Sequence, residues 1–125
     1  MGSRSLKILL VDDEPELVAT CARFLERLGH SCLSAYDGAR AIELAAQQSP
    51  DLVVTDLQLP EHDGLEVTRR VREALPRTPV ILITAYNRPT TAEAAFGAGA
   101  SAYLPKPFSL ADLRRAIDFA LARMA

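Results

Sequence analysis

Short apolar runs alternate along this chain with longer segments in which apolar residues recur at helical spacing. Unbroken runs of this kind between turn residues are typical of strands buried on both faces, as in a parallel sheet covered by helices. Five such runs predict strands, over residues 6–11, 31–36, 52–56, 79–84 and 101–104. The alternation predicts an α/β fold: a single-domain, doubly wound (βα)5 three-layer sandwich around a five-stranded parallel sheet.

Turn and cap residues mark the ends of the predicted helices. Pro15 suits the first turn of the helix after the first strand, and Gly29 ends that helix. Two capping-box spacings, Asp63-Gly-Leu-Glu66 and Thr90-Thr-Ala-Glu93, predict helix N-caps at Asp63 and Thr90. The last helix is predicted to begin at Ser109. Its core-facing residues are Leu110, Leu113, Ile117, Ala120, Leu121 and Met124.

The composition fits one globular domain. With 125 residues, 49% hydrophobic and 24% charged, the chain can bury about two-thirds of its unfolded surface around one core. We expect residues 1–125 to form one domain, with residues 1–5 as an N-terminus that is disordered or was added by cloning. No apolar run approaches the roughly 18 residues of a membrane span, and no signal peptide precedes the first strand. The expected location is therefore cytoplasmic, without membrane contact.

The charge balance argues against a nucleic-acid-binding protein, and the cysteine spacing argues against a cysteine metal site. A net charge of −2 argues against direct binding to nucleic acid, because such affinity comes mainly from neutralising phosphates. Cys21 and Cys32 do not have the spacing of metal ligands. Because Cys21 shares a helical stripe with Leu17, Phe24 and Leu28, we expect it to be a buried, reduced thiol.

Polar side chains follow four of the predicted strands at the point where each strand ends. They are Asp12 and Asp13, Asp56, Thr84 and Lys106. Because parallel strands present their carboxyl ends at one edge of the sheet, where ligands bind in open α/β folds, we expect these groups to converge. Three clustered carboxylates repel one another, and one lysine leaves the cluster negative. The cluster therefore implies a divalent cation, and its hard oxygen ligands favour Mg²⁺.

A carboxylate beside Mg²⁺, a lysine and a hydroxyl can accept a phosphoryl group. Asp56 would attack phosphorus in line, while the cations and the hydroxyl of Thr84 stabilise the equatorial oxygens. Other phosphate-binding devices are absent from the sequence, which has no Walker loop, no G-x-G-x-x-G motif and no EF-hand pattern around Asp56.

Four motifs, in order at the ends of four strands, resemble the receiver domain of bacterial two-component response regulators. They are Leu9-Leu-Val-Asp-Asp-Glu-Pro15, Asp56-Leu-Gln-Leu-Pro60 with Asp63-Gly64, Ile83-Thr-Ala85 and Tyr103-Leu-Pro-Lys-Pro-Phe108. The resemblance covers nearly the whole chain. It implies a flavodoxin-like fold with strand order 2-1-3-4-5 and a role in phosphorelay signalling, as a switch and not as a turnover enzyme.

The resemblance also assigns roles at the acidic edge. Asp56 would accept a phosphoryl group from a phosphohistidine on a sensor histidine kinase or a histidine phosphotransfer protein. Asp13, Asp56 and the backbone carbonyl of Gln58 would bind Mg²⁺, with Asp12 acting through water and Mn²⁺ as an alternative ion. Lys106 would contact the phosphoryl oxygens together with Thr84.

Further residues are implied in switching and in signal lifetime. Tyr103 would be the aromatic switch residue, and the bond from Lys106 to Pro107 would be cis. Gln58 and Tyr86 lie two residues beyond Asp56 and Thr84, beside the path of an attacking water, and are expected to set the dephosphorylation rate.

The output surface is expected on the fourth helix, fifth strand and fifth helix. Arg114, Arg115, Asp118 and Arg123 offer contacts there to an output domain or partner protein, or to a second copy in a phosphorylation-dependent homodimer. Ser101 and Ala102 stand where the winged-helix subfamily has an acidic pair, so the salt-bridged dimer of that subfamily is not implied.

Two alternative functions stay open. An aspartyl-phosphate phosphohydrolase usually has a second acid two residues after its nucleophile, where this chain has Gln58. The other alternative is an unphosphorylated receiver that serves as a dimerisation scaffold, against which the complete set of acids, Thr84 and Lys106 counts.

Overall fold

The computed structural model describes residues 5–86 and 88–124, and for residue 124 it describes the backbone alone. Five strands and five helices alternate along this part of the chain. The strands form one parallel sheet in the order β2-β1-β3-β4-β5, which confirms the predicted fold class. The elements are β1 Lys7–Val11, α1 Pro15–Arg27, β2 Ser31–Ala35, α2 Gly38–Gln48, β3 Leu52–Asp56, α3 Gly64–Ala74, β4 Val80–Thr84, α4 Pro89–Gly97, β5 Ala102–Pro105 and α5 Leu110–Met124.

The sheet is covered on both faces because successive residues of its strands point to opposite sides. Ile8 and Leu10 of β1 enter one apolar cluster with α1 and α5, whereas Leu9 and Val11 enter another with α2 and α3. All residues of β3 and β4 are buried, as expected for central strands of a parallel sheet. A smaller cluster of Leu82, Ala95 and Ala100 lies under α4. Among the described residues, no helix is both long enough and apolar enough to cross a bilayer.

The register brings the strand ends to one edge. Val11 pairs with Ala35 of β2 and with Thr55 of β3. Asp56 pairs with Ile83, and Thr84 pairs with Pro105. Each strand is followed at this edge by a loop, so the loops after β1, β3, β4 and β5 are neighbours, and they carry the candidate site.

Three of the four predicted helix starts are confirmed, and α1 begins at Pro15 as expected. Asp63 accepts a hydrogen bond from the Glu66 amide at 2.9 Å and caps α3. The Ser109 hydroxyl accepts from the Asp112 amide at 3.0 Å, and the Ser109 amide donates to the Asp112 carboxylate at 3.0 Å. The N-cap predicted at Thr90 is wrong. Helix α4 starts at Pro89, whose fixed φ suits the first helical position, and its N-cap is Arg88 without a side-chain cap bond.

Some predicted boundaries shift by one residue. The structure begins β1 at Lys7, ends β2 at Ala35 and places β5 one residue later than predicted. Residues 1–4 of the predicted N-terminal extension lie outside the described residues. Ser5 is described, and its hydroxyl donates to the carbonyl of Gly29 at 2.8 Å.

The loop between β3 and α3 is held by a close backbone approach at Gly64. The Gly64 amide donates to the Leu57 carbonyl at 2.7 Å. A Cβ atom at Gly64 would lie 2.2 Å from the Asp56 carbonyl oxygen and 2.7 Å from the Leu57 Cα. Both neighbours are backbone atoms and cannot rotate away, so this position requires glycine for steric reasons.

We therefore expect Gly64→Ala to lower the free energy of unfolding by about 2–3 kcal/mol, the cost of forcing atoms into packed space. Gly97→Ala is the matched control, because nothing lies within 4 Å of its added Cβ. That change should stabilise the protein by about 0.5 kcal/mol, since alanine is the better helix former. Urea unfolding followed by circular dichroism measures both effects. Equal stability of the two variants would contradict the close approach.

Candidate functional site

Three aspartates meet at the carboxyl edge of the sheet. Asp12 and Asp13 follow β1, and Asp56 ends β3. One carboxylate oxygen from each lies within 4.8 Å of the others. Asp12 and Asp56 are buried, whereas Asp13 is exposed. The structure thus brings together the three acids expected from the sequence and opens them to solvent on the Asp13 side.

Lys106 from the loop after β5 reaches into this cluster. Its Nζ lies 3.0 Å from Asp12 Oδ2 and 3.1 Å from Asp56 Oδ2. Its backbone amide donates to the Thr84 carbonyl at 2.7 Å, which fixes the loop beside the end of β4. The peptide bond from Lys106 to Pro107 is cis. Lys106 is therefore the cation that compensates the buried acids.

A third carboxylate on Lys106 was missed by the sequence reasoning. Glu14 Oε1 accepts a hydrogen bond from Lys106 Nζ at 3.0 Å, across 92 positions of the chain. The available signal was its place directly after Asp12 and Asp13, in the same turn. That place also suits an exposed helix-start residue, so proximity to Lys106 did not follow from the sequence.

Burial and charge shift two pKa values in the cluster. Burial raises the pKa of Asp12 above its ordinary value, although Lys106 and the Glu14 amide oppose the shift. Burial by itself would lower the pKa of Lys106, but contacts with Asp12, Glu14 and Asp56 outweigh it and raise that pKa. The lysine is therefore firmly protonated, and the cluster of four acids carries one built-in cation.

The donor set fits a divalent cation. Asp12 Oδ1 accepts the Glu14 amide at 3.0 Å, but the buried Asp12 Oδ2 has no well-directed hydrogen bond, although Lys106 Nζ is close. A buried carboxylate oxygen without a hydrogen bond is costly unless another positive group or a bound water serves it. The cluster offers only oxygen ligands, and such ligands suit hard divalent ions. This acidic pocket therefore has the character of a divalent metal site.

The loop after Asp56 borders the pocket. The Gln58 amide donates to Asp56 Oδ1 at 3.3 Å, and the Leu57 amide donates to the Ile83 carbonyl at 2.8 Å. These bonds hold the Gln58 backbone beside the Asp56 carboxylate. A groove of about 560 Å³ opens next to it. Its lining residues include Asp13, Gln58, Leu59, Pro60, Asp63 and Leu65.

Thr84 and Tyr103 are joined through the backbone of Tyr86. The buried Thr84 hydroxyl accepts a hydrogen bond from the Tyr86 amide at 2.9 Å. The Tyr103 hydroxyl donates to the Tyr86 carbonyl at 3.1 Å. The Tyr103 ring packs on the cluster under α4, and burial raises the pKa of its phenol. A movement of Thr84 would therefore disturb the Tyr86 backbone, and the Tyr103 hydroxyl is bonded to that same backbone.

A surface groove of about 530 Å³ lies between α4 and α5, over β5. Phe96 and Phe119 border it and are 44% and 54% exposed, which the sequence reasoning missed. The four charged residues named for this surface, Arg114, Arg115, Asp118 and Arg123, are all exposed on α5. Arg115 pairs with Asp112, and Arg123 lies 5.6 Å from the centre of the Phe119 ring. The groove is thus apolar at its two phenylalanines, and Arg115 and Arg123 beside them contact other residues of α5.

The fold and the site together define a flavodoxin-like α/β domain with a lysine-compensated acidic pocket at its carboxyl edge. The model of the response regulator receiver domain family matches residues 8–118. This chain belongs to that family, as the sequence motifs indicated.

Individual relatives agree with this assignment. Response regulator MprA of Mycobacterium bovis is 38% identical over 109 residues, which are 87% of this chain and 47% of the relative. The chain thus spans about half the length of that relative. A two-component response regulator of the LuxR family from Aurantimonas superposes with a TM-score of 0.88 at 35% identity, covering 96% of this chain and 87% of that one. A CheY-like receiver domain protein from Methanospirillum hungatei gives 0.90 at 25% identity and covers 97% of each chain.

Proposed function

We propose that this receiver domain is a phosphorylation-controlled switch that accepts a phosphoryl group on Asp56. The donor is a phosphohistidine of a sensor histidine kinase or a histidine phosphotransfer protein. The observation that supports this most directly is the position of Asp56. Its buried carboxylate ends the central strand, lies 3.1 Å from Lys106 Nζ, and shares a cluster with Asp12 and Asp13.

In the transfer step, a carboxylate oxygen of Asp56 attacks phosphorus. The bond from phosphorus to the donor imidazole nitrogen breaks, and that nitrogen keeps the electron pair and then takes up a proton. Lys106 and the Thr84 hydroxyl bind the phosphoryl oxygens, which carry the negative charge of the loose transition state. The pocket orients these groups before the donor arrives, so little covalent chemistry is required of the protein.

We propose Mg²⁺ as the ion of the acidic pocket, with Mn²⁺ as a substitute. Asp13, Asp56 and the Gln58 carbonyl would hold it directly, and Asp12 through a water molecule. When bound, the ion neutralises charge on the phosphoryl oxygens and on the acids. The buried Asp12 Oδ2 without a well-directed hydrogen bond supports this placement, because it is free to accept from a metal-bound water.

We infer that the domain is not a turnover enzyme. A phosphohydrolase of this type needs a second acid to protonate its leaving group, and Gln58 occupies the position two residues after the acceptor. The product of the proposed transfer is the phosphorylated domain itself, which carries the signal until water removes the phosphoryl group.

The output is proposed to run through the groove between α4 and α5. Curated relatives are about twice as long as this chain, so an output domain or a separate partner protein is expected to bind this surface. The exposed Phe96 and Phe119 give this surface apolar contacts, and Arg114, Asp118 and Arg123 give it charges. A phosphorylation-dependent homodimer through the same surface is the alternative.

Incubation with acetyl phosphate and Mg²⁺ should add one phosphoryl group to the protein, as seen by intact mass. The label should be absent with EDTA and in Asp56→Asn, because the first removes the ion and the second removes the attacking carboxylate. Asp118→Asn, an exposed aspartate on α5, is the matched control and should label normally. Labelling that survives Asp56→Asn would overturn the assignment of the acceptor.

Gln58 and Tyr86 are proposed to set how long the label lasts. Gln58 follows Asp56 in the loop after β3, and Tyr86 follows Thr84 in the loop after β4. Both are placed to control the access and orientation of a water that attacks the phosphoryl group. We expect Gln58→Ala and Tyr86→Ala each to change the decay rate by about tenfold, equivalent to about 1.4 kcal/mol in the barrier. Gln47→Ala, at an exposed position on α2, should leave the decay rate unchanged. Unchanged decay in both site variants would refute this role.

Phosphorylation is expected to propagate from Thr84 to Tyr103. A beryllofluoride-type mimic with Mg²⁺ should shift amide NMR signals across residues 84–108, because Thr84 moves toward the new acceptor oxygens and disturbs its bond with Tyr86. Thr84→Ala should confine the shifts to the acidic pocket, whereas Thr20→Ala on the exposed side of α1 should not. Shifts confined to the neighbours of Asp12, Asp13 and Asp56 in the wild type would show that no switch operates.

A further inference from the structure

Glu14 has no role in the chemistry described above, yet it contacts the one cation of the site. Its carboxylate accepts a hydrogen bond from Lys106 Nζ at 3.0 Å. Its backbone amide is bound to Asp12 Oδ1 at 3.0 Å, which fixes the residue beside the pocket. Glu14 is also the N-cap residue of α1, but its side chain makes no capping bond. The carboxylate therefore serves Lys106 and not the helix.

The Lys106 ammonium group is surrounded by carboxylates in this structure. An ammonium group has three N–H donors. Three carboxylate oxygens, from Asp12, Glu14 and Asp56, lie 3.0–3.1 Å from Nζ. Glu14 Oε1 and Asp56 Oδ2 accept hydrogen bonds from Nζ, whereas Asp12 Oδ2 is an ion contact without a well-directed hydrogen bond. A phosphoryl oxygen that contacts this lysine therefore competes with three carboxylates for its donors and its charge.

The three acids differ in how easily they can leave. The side chains of Asp12 and Asp56 are 5% and 10% exposed, whereas that of Glu14 is 62% exposed. A buried carboxylate that loses its cation keeps an uncompensated charge in a poor solvent, but an exposed one is taken over by water. Release of Glu14 is consequently the cheapest way to free a donor of Lys106.

We propose that Glu14 is a positioning residue that competes with the phosphoryl group for Lys106 and so holds the domain in its unphosphorylated state. This inference rests on the proposed acceptance of a phosphoryl group at Asp56. In the resting domain, the exposed Glu14 carboxylate accepts a hydrogen bond from Lys106 Nζ. On phosphorylation the phosphoryl oxygens compete for that donor, and the negative charge of Glu14 then lies beside the added phosphoryl charge. Both effects disfavour the phosphorylated state.

The test compares Glu14→Gln with Glu16→Gln, which alters an exposed acid in the first turn of the same helix. Mg²⁺ is first titrated into each variant by NMR, and all further measurements use saturating Mg²⁺. We expect Glu14→Gln to raise the affinity for beryllofluoride and the labelling rate with acetyl phosphate by about two- to fivefold, the effect of one partly exposed ion pair. The gain should shrink at high salt, and Glu16→Gln should match the wild type.

Two further measurements separate competition from a merely structural role. In the metal-free domain, Glu14→Gln should increase the mobility of the Lys106 side chain, seen in the relaxation of its Cε signal. In a Lys106→Met background, the effect of Glu14→Gln on beryllofluoride affinity should be markedly smaller, because the shared partner is gone.

The outcomes that overturn the inference are distinct from failure of the proposed function. Wild-type affinity and labelling in Glu14→Gln, or slower labelling, would show that Glu14 does not compete for Lys106. An undiminished effect in the Lys106→Met background would show that it acts without the lysine. If instead the Asp56→Asn variant is still labelled by acetyl phosphate, the proposed function fails whatever Glu14 does.

Discussion

The structure depends on one ionic arrangement, the contact of Lys106 with the buried carboxylates of Asp12 and Asp56. These three side chains come from the loops and ends of β1, β3 and β5, so the ion contacts join strands that are not all neighbours in the sheet. Removing one partner of a buried charge pair leaves the other uncompensated, at a cost on the order of 3–5 kcal/mol for fully buried groups. The acids of the candidate site thus also constrain how the carboxyl edge is assembled.

The same arrangement connects the pocket to the surface. The Lys106 amide is bonded to the Thr84 carbonyl, and Thr84 is linked to Tyr103 through the amide and carbonyl of Tyr86. Tyr103 packs on the small cluster under α4 and borders the groove between α4 and α5. A charge added at Asp56 would therefore act on Thr84 and Tyr103 through a chain of directed hydrogen bonds. Bonds of this kind favour discrete alternative arrangements over gradual deformation.

Much of this could be predicted from the sequence, because the features concerned are local or follow from topology. Apolar runs identify buried strands, and parallel strands must bring their carboxyl ends together, which places Asp12, Asp56 and Lys106 in one pocket. The cap at Asp63 is also local, since it depends on residues three apart. The cap predicted at Thr90 was wrong because Pro89 offered a competing start for the same helix.

What could not be predicted depends on side-chain direction across the fold. Glu14 and Lys106 are 92 positions apart, and nothing in either segment says which way the Glu14 carboxylate turns. Phe96 and Phe119 are large apolar residues that periodicity cannot assign to an exposed groove, because their exposure depends on how α4 and α5 sit beside β5.

Under the proposed function, the exposure of the partners of Lys106 would allow one network to be both stable and switchable. A pocket that held the lysine only through buried acids would resist any new ligand, because each exchange would leave a buried charge without a partner. A pocket that held it only through exposed acids would barely order it, since such pairs contribute ~0–1 kcal/mol. Here two buried acids lie 3.0–3.1 Å from the lysine and fix its position, and one exposed acid accepts a further hydrogen bond from it. The site is thereby assembled before any ligand arrives, and the partner whose release costs least is the one that water can solvate.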